Sequence, residues 1–383
     1  MFIKYELSEE QKELVDLVKR ICEEKIKDRV RELDEKGEFP HDIIKELARA
    51  DLFRIFIPEE YDGLSMGTFE LCLVVEELSK VEPGIATTYA ANALASTPII
   101  LFGTEEQKKK YLPQIASGEK LAAFALTEPE AGSDVSGIKT RAEKQGDSYI
   151  LNGVKQWVTN GGEADIYVVF ALTSPERGAR GMSAFIIEKN WEGVSFGKKE
   201  DKMGIRTSAT REMILNDVKV PKENLLGREG MGFIIAMRTF ERTRIGVGAQ
   251  AVGIAESAFE HAVKFAKERH QFGKSISSFE GIQFMLAEMA TKIESAKALV
   301  YNVAKYIDSG AKDIATPSAM AKLYASNVAM EVTTQAVQIM GGYGYMKDYP
   351  VEKLMRDAKI TQIYEGTNEI QKLVISADVL KKI

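Results

Sequence analysis

Histidine and cysteine are scarce in this 383-residue chain. The three histidines, His41, His261 and His270, stand far apart, and no C-x-x-C or H-E-x-x-H spacing occurs. A transition-metal centre is therefore not expected, and any difficult redox chemistry would need an organic cofactor. The two cysteines, Cys22 and Cys72, both fall in apolar helical patterns and read as reduced core thiols. Long hydrophobic runs are missing too: no stretch reads as the ~20 apolar residues of a membrane span. The N-terminal "MFIKYELSEEQKEL" turns acidic and helical at once, with no apolar leader segment, so the expected compartment is the cytoplasm. Positive charge is not in excess. A net charge of −6 argues against a nucleic-acid partner, and Lys108, Lys109 and Lys110 read as the solvated face of a helix.

What is present is ordinary in bulk and ordered in pattern. With 45% hydrophobic and 28% charged residues, the chain can bury substantial cores. Residues 1–120 carry helical periodicity: Ser8 with Gln11, and Thr104 with Gln107, are capping-box pairs that open helices. "TFELCLVVEELSKV" is apolar nearly all round, as in a buried helix. From 121 to 232 the period shortens to β-branched and aromatic runs separated by Gly, Asp, Asn and Pro turns. "GREGMGF" (227–233) marks the next boundary. Helices then return near 234–268, 279–308, 317–340, 350–362 and 368–382, with Pro317 and Pro350 placed as first-turn prolines. The expected fold is α+β, with an N-terminal α-helical domain (1–120), a middle antiparallel β-barrel or sandwich (121–232) and a C-terminal four-helix-bundle-type domain (233–383).

Two familiar-looking stretches carry no site. "FGKS" (272–275) lacks a P-loop's first glycine, whose position holds Glu268, and no strand precedes it. The glycines of "GVGAQAVG" (246–253) lie inside a helical pattern and read as close helix packing rather than dinucleotide binding.

Three stretches remain. "LTEPEAGSDVSG" ends a strand in a Gly/Ser loop, which can offer N–H groups and hydroxyls to a phosphate or a flat polar ring. "KQWVTNGG" ends another strand with an indole and a threonine. Alone, Trp157 fits a core position as well as a cofactor wall, and Thr127 and Thr159 fit plain strand hydroxyls. "IYEGTNEIQ" (363–371) puts a carboxylate, Glu365, before a glycine at the joint between two helices; it is either a capped surface turn or a positioned base.

Together with "ERHQFGKSISSFEGIQFMLAEMATKIE" (268–294) and "QIMGGYGYMKDYPVEKLMRDAKITQIYEGTNEIQ" (338–371), these blocks resemble, in order and over the whole chain, the acyl-CoA dehydrogenases. The resemblance implies one FAD per subunit and a homo-oligomer, usually a tetramer. It implies an acyl-CoA substrate and an electron-transfer flavoprotein as electron acceptor, within fatty-acid oxidation. By the same resemblance, Phe124, Leu126, Thr127, Trp157 and Thr159 border the flavin. Gly132 and Ser133 approach the cofactor phosphates, Ser133 also the thioester ligand. Arg269, Gln271 and Phe272 reach the FAD of a neighbouring subunit, and Gln338, Gly341 and Gly342 its adenine and ribose side. Thr367 and Glu369 touch the FAD again. Glu241 and Arg244 contact the CoA moiety, although Arg244 also fits a helix-surface ion pair. Gly366 frees the backbone beside the substrate.

Glu365 matches the catalytic base of most straight-chain members. Some relatives carry that acid where this chain has Thr243, which cannot serve. The implied reaction removes a Cα proton while a hydride leaves Cβ for the flavin, giving a trans-2-enoyl thioester. "SSFEGIQ" departs from many relatives in carrying Glu280 where they have glutamine. An oxygen-reactive relative (an acyl-CoA oxidase or other flavin oxidase) and a non-catalytic flavoprotein scaffold are the alternatives weighed. Base position leans towards short or medium acyl chains.

Overall fold

The computed structural model describes residues 3–382. Its first zone holds helices α1 (Glu9–Ile21), α2 (Val30–Lys36), α3 (His41–Arg49), α4 (Thr68–Val81), α5 (Pro83–Phe102) and α6 (Glu105–Ala116). Both expected capping boxes form: Ser8 and Gln11 start α1, and Thr104 and Gln107 start α6, each satisfying orphan N–H groups of the first turn. The start of α4 is capped from far along the chain. The Asp308 carboxylate accepts from Thr68 N and Phe69 N at 2.7 and 2.8 Å.

The middle zone holds β1 (Ala122–Ala125), β2 (Arg141–Gln145), β3 (Ser148–Thr159), β4 (Ile166–Leu172), β5 (Met182–Glu188), β6 (Val194–Phe196), β7 (Thr210–Pro221) and β8 (Leu225–Leu226). They form one sheet in the order β6-β7-β3-β2-β4-β5-β8, with β1 also paired to β4. Most pairs are antiparallel, as expected, but β1 runs parallel to β4, and β2 meets β4 in parallel through Arg141 and Leu172. The long connection from β1 through β2 and β3 carries the chain back to the same end, which a strand-by-strand reading of turns does not reveal.

The last zone opens with α7 (Gly232–Glu268), 37 residues and so roughly 55 Å long. A short hairpin, β9 (His270–Gln271) with β10 (Lys274–Ser275), leads to α8 (Glu280–Asp308), α9 (Ala315–Met340), α10 (Val351–Ile360) and α11 (Asn368–Lys382). Two proline assignments shift. Pro317 is the third residue of α9 rather than its first, and Pro350 is the N-cap of α10. Both positions lack an intrahelical N–H partner, so proline costs nothing at either.

One hydrophobic core joins the first and last zones. Residues of α1, α4 and α5 pack with those of α7, α8, α9 and α10 around Val74, Leu78, Ile245, Val252 and Val300. A second core, through Phe170, Ile186, Ile99 and Leu112, seats one face of the sheet on α5, α6 and the start of α7. α5 corrects the expectation drawn from hydrophobic runs, since by length and composition it could cross a membrane. Here it is packed inside protein: Asn92 Oδ1 accepts from Ala122 N at 2.7 Å, which ties the helix to β1. Both cysteines are buried and free.

The glycines of "GVGAQAVG" serve close packing. A Cβ on Gly253 would lie 2.3 Å from the carbonyl oxygen of Glu76 on α4, and one on Gly248 3.0 Å from Val300 of α8. Gly253→Ala should therefore push α7 off α4 and cost about 1–3 kcal/mol, read as a lower urea midpoint with an unchanged slope.

Candidate active site

The cleft lies where the strand ends of the sheet face α5, α7 and the turn between α10 and α11. Phe124, Leu126, Thr127, Gln156, Trp157 and Thr159 form its sheet side. Phe124 sits between Phe170 and Phe240, with ring centres 4.9 and 5.4 Å away. The Thr127 carbonyl accepts from Gln156 N at 2.8 Å, pinning the two strand ends together. Trp157 occupies a bulge in β3, where register slips between Lys155 and Val158; its φ is +58° and its indole is 59% exposed. A left-handed tryptophan costs backbone energy, and the outcome is a flat, uncovered ring beside two threonine hydroxyls.

A buried ion pair underlies this wall. The Glu128 carboxylate accepts from Lys155 Nζ at 2.7 Å, Lys139 N at 2.5 Å and Thr140 N at 3.0 Å, while Lys155 also donates to the Leu126 carbonyl. Burial pushes Lys155 down to about 8 even with its partner, so the pair orders the loop at some electrostatic cost.

The helical side consists of Leu71, Thr87, Ala90, Ala91, Ala93, Leu94, Phe240, Thr243, Gly246, Val247 and Gln250, closed by Tyr364 and Glu365. Glu365 has φ +50° and Gly366 +90°, two successive left-handed residues that break the run from α10 into α11. Thr243 donates from Oγ1 to Glu365 Oε2 at 2.8 Å. Although it faces open space, the carboxyl is flanked by protein, and this desolvation raises its pKa; the Thr243 hydrogen bond and the charges of Arg244 and Lys322 offset part of the rise. Glu365 thus has the environment of a base rather than of a solvated turn residue.

The surface-pair alternative for Arg244 fails. It is 5% exposed, its Nε has no hydrogen-bond partner among the described residues, and it lies close enough to Glu365 for the two charges to interact. The surface pair on this helix belongs to Glu241 and Arg238, at 3.0 Å. Gly132 and Ser133 are exposed on the loop beyond the sheet wall, outside the cleft lining. Thr367 caps α11 by accepting from Ile370 N, and Glu369 faces solvent; neither lines the cleft.

A second depression gathers Arg269, Gln271, Gly341 and Gly342 with Phe265, Tyr343 and Met346. Its Arg269 guanidinium lies 5.4 Å from the Tyr343 ring centre, while Phe272 beside it is 93% exposed. Gln338 is on the last turn of α9, outside this lining. Thr243, within α7, and Arg269, at its C-cap, are 26 positions apart, roughly 39 Å along the helix. The two groups of residues thus serve different places on one chain.

Sequence reasoning did not single out Gln250, Tyr364, Gln371 or Lys322. Gln250 was legible as the one amide in an otherwise small and apolar helical stretch, and Tyr364 as the neighbour of Glu365. The other two bond to the turn's backbone and have no pattern of their own.

Three family descriptions tile the chain: "Acyl-CoA dehydrogenase, N-terminal domain" over residues 8–119, "middle domain" over 123–218 and "C-terminal domain" over 230–380. The chain belongs to the acyl-CoA dehydrogenase family. The solved butyryl-CoA dehydrogenase of Megasphaera elsdenii is 48% identical, with 99% of this chain and 100% of that one covered at a TM-score of 0.96. A chain solved in work on the electron transferring flavoprotein of Acidaminococcus fermentans is 52% identical, with the same coverage and score. An acyl-CoA dehydrogenase of Bacillus anthracis complexed with FAD is 39% identical; the match covers all of this chain and 70% of that one, at a TM-score of 0.94. Like its family, the protein is an FAD-dependent oxidoreductase that dehydrogenates acyl-CoA thioesters.

Proposed function

We propose that the protein converts a short, straight-chain acyl-CoA to its trans-2-enoyl thioester, with Glu365 taking the Cα proton. The observation that carries this reading is the raised, partly desolvated carboxylate of Glu365 facing an exposed Trp157 ring across an apolar cleft. The sheet wall suits a flavin: a flat ring finds the indole, and its polar edge finds Thr127 and Thr159. FAD supplies the hydride acceptor for Cβ. Everything else falls to the chain. The Glu365 N–H has no protein acceptor among the described residues and would donate to the thioester carbonyl, worth about 3 kcal/mol as charge develops there. Thr243 holds the carboxylate oxygen in place, and the apolar lining keeps water from competing for it.

We take the Gln250 network in the cleft lining as the floor that sets chain length. Gln250 donates to Thr87 Oγ1 at 2.8 Å and to the Pro83 carbonyl at 3.1 Å, and the Tyr364 hydroxyl donates to its Oε1. A satisfied polar network at the end of an apolar slot admits a few methylenes and then stops them, since a longer chain must displace buried hydrogen bonds. The similarity to a butyryl-CoA dehydrogenase supports the same choice.

The second depression, with Arg269, Gln271, Gly341 and Gly342, suits the far end of an FAD held in a neighbouring copy, because most of a long helix separates it from this chain's own cleft. The protein is accordingly a homo-oligomer, a tetramer in our reading, that passes electrons to an electron-transfer flavoprotein; the similarity to the Acidaminococcus chain supports that acceptor.

Glu365→Gln should bind butyryl-CoA with a Kd within about threefold of the parent yet lose turnover by ~10³-fold or more; turnover within tenfold of the parent would remove Glu365 from the mechanism. In a chain-length series, Gln250→Ala should move the kcat/KM optimum to longer acyl chains, and an unmoved optimum would place the floor elsewhere.

A further inference from the structure

Four lysines are buried among the described residues: Lys155, Lys297, Lys322 and Lys353. Three have a carboxylate oxygen within 3 Å, from Glu128, from Glu76 and Glu256, and from Glu82 and Asp357 respectively. Lys322, on α9 and fully buried, makes no such close ion pair with any described residue. Its Nζ instead donates to the carbonyl oxygen of Gly366 at 2.8 Å and to Asn368 Oδ1 at 2.9 Å. A neutral amide could satisfy two such acceptors without burying a charge. When protonated, its cation acts on a neighbouring group.

The turn around Lys322 shows which. Gln371 Nε2 donates to the carbonyls of both Glu365 and Gly366, at 3.2 and 2.8 Å, and Ser326 Oγ donates to Asn368 Oδ1 at 3.1 Å. The peptide oxygens of the base and of the glycine after it are thereby fixed. The charged groups facing Lys322 are Glu365 on the turn, Glu369 on α11 and Arg244 from α7; the two carboxylates favour its charge and Arg244 opposes it. Glu369 is exposed, so its charge is screened by water, which leaves Glu365 as the desolvated counter-charge.

We propose that Lys322 is a positioning residue for Glu365: it locks the left-handed turn through the Gly366 carbonyl, and its cation holds the base ionised inside a water-poor cleft. The proposal rests on the reading of Glu365 as the base. Burial pushes Lys322 itself down to about 7, while the Glu365 charge works against that fall. The sign is fixed by charge. Removing the cation penalises the carboxylate, raises the Glu365 pKa and moves the acidic limb of kcat towards higher pH.

The test uses FAD-loaded protein and reads Glu365 directly. The infrared band of a protonated carboxyl that disappears in Glu365→Gln is followed against pH. In Lys322→Met its midpoint should rise by on the order of one pH unit. On the acidic limb kcat should fall about tenfold for a midpoint one pH higher, with KM for butyryl-CoA within about threefold and FAD content unchanged. Lys322→Arg, which keeps the charge, should return the midpoint towards that of the parent. If Lys322→Met does not fold, Lys322→Gln is read the same way, as a donor without charge. A midpoint that stays put or falls in the neutral variants overturns the proposal, as does an equal rise in Lys322→Arg. Should Glu365→Gln keep full turnover, the base assignment fails instead, while the band still reports whether Lys322 acts on that carboxyl.

Discussion

If Glu365 is the base, as we propose, it must stay ionised where water is scarce, and the architecture around it bears on that conflict. Desolvation makes the carboxylate more basic, but too much would neutralise it at working pH. The structure balances the two with a hydroxyl at 2.8 Å from Thr243 and two nearby buried cations, Arg244 and Lys322. Neither cation forms a close ion pair with the carboxylate, so neither would block the oxygen that takes the proton in the proposed reaction.

That balance depends on where the helices can sit. Glu365 overhangs the cleft only because α11 docks on α9, and α9 is held by the core that α4 and α7 share. The helices at the two ends of the chain therefore form one body, and the sheet is applied to it through α5, α6 and the start of α7. Small residues do opposite jobs along α7. Gly253 lets α4 approach, whereas Gly246, where a Cβ would meet only open space, leaves room at the cleft. Some of the left-handed backbone falls at the same place. Trp157, Glu365 and Gly366 all have positive φ, and each sits on the cleft or directly beside it.

The α–β–α order, both capping boxes, the buried α4 and the helix-packing glycines were legible from sequence, because each rests on local periodicity or on a short-range hydrogen bond. The parallel β1–β4 pair was not, since strand direction depends on how the chain returns to a sheet edge rather than on any strand's composition. α5 does not stand out as a long apolar helix because its hydrophobicity comes from alanines interleaved with Thr, Asn and Ser, which bond back to the helix or across to β1. Glu365 could be found by resemblance, while Arg244 could not be resolved until its burial was seen. Lys322 was invisible: a lysine in a helix looks solvated unless its depth is known, and its partners are a backbone oxygen and an amide 44 and 46 positions away.

If Glu365 and a bound flavin act together on one thioester, the flavin itself must report it. Anaerobic titration of the FAD-loaded protein with butyryl-CoA, followed by visible absorbance, is the most direct test. The oxidised flavin should bleach, saturating near one ester per FAD, with the enoyl thioester recovered afterwards. Flavin that stays oxidised while the ester demonstrably binds would contradict the joint action of base and cofactor.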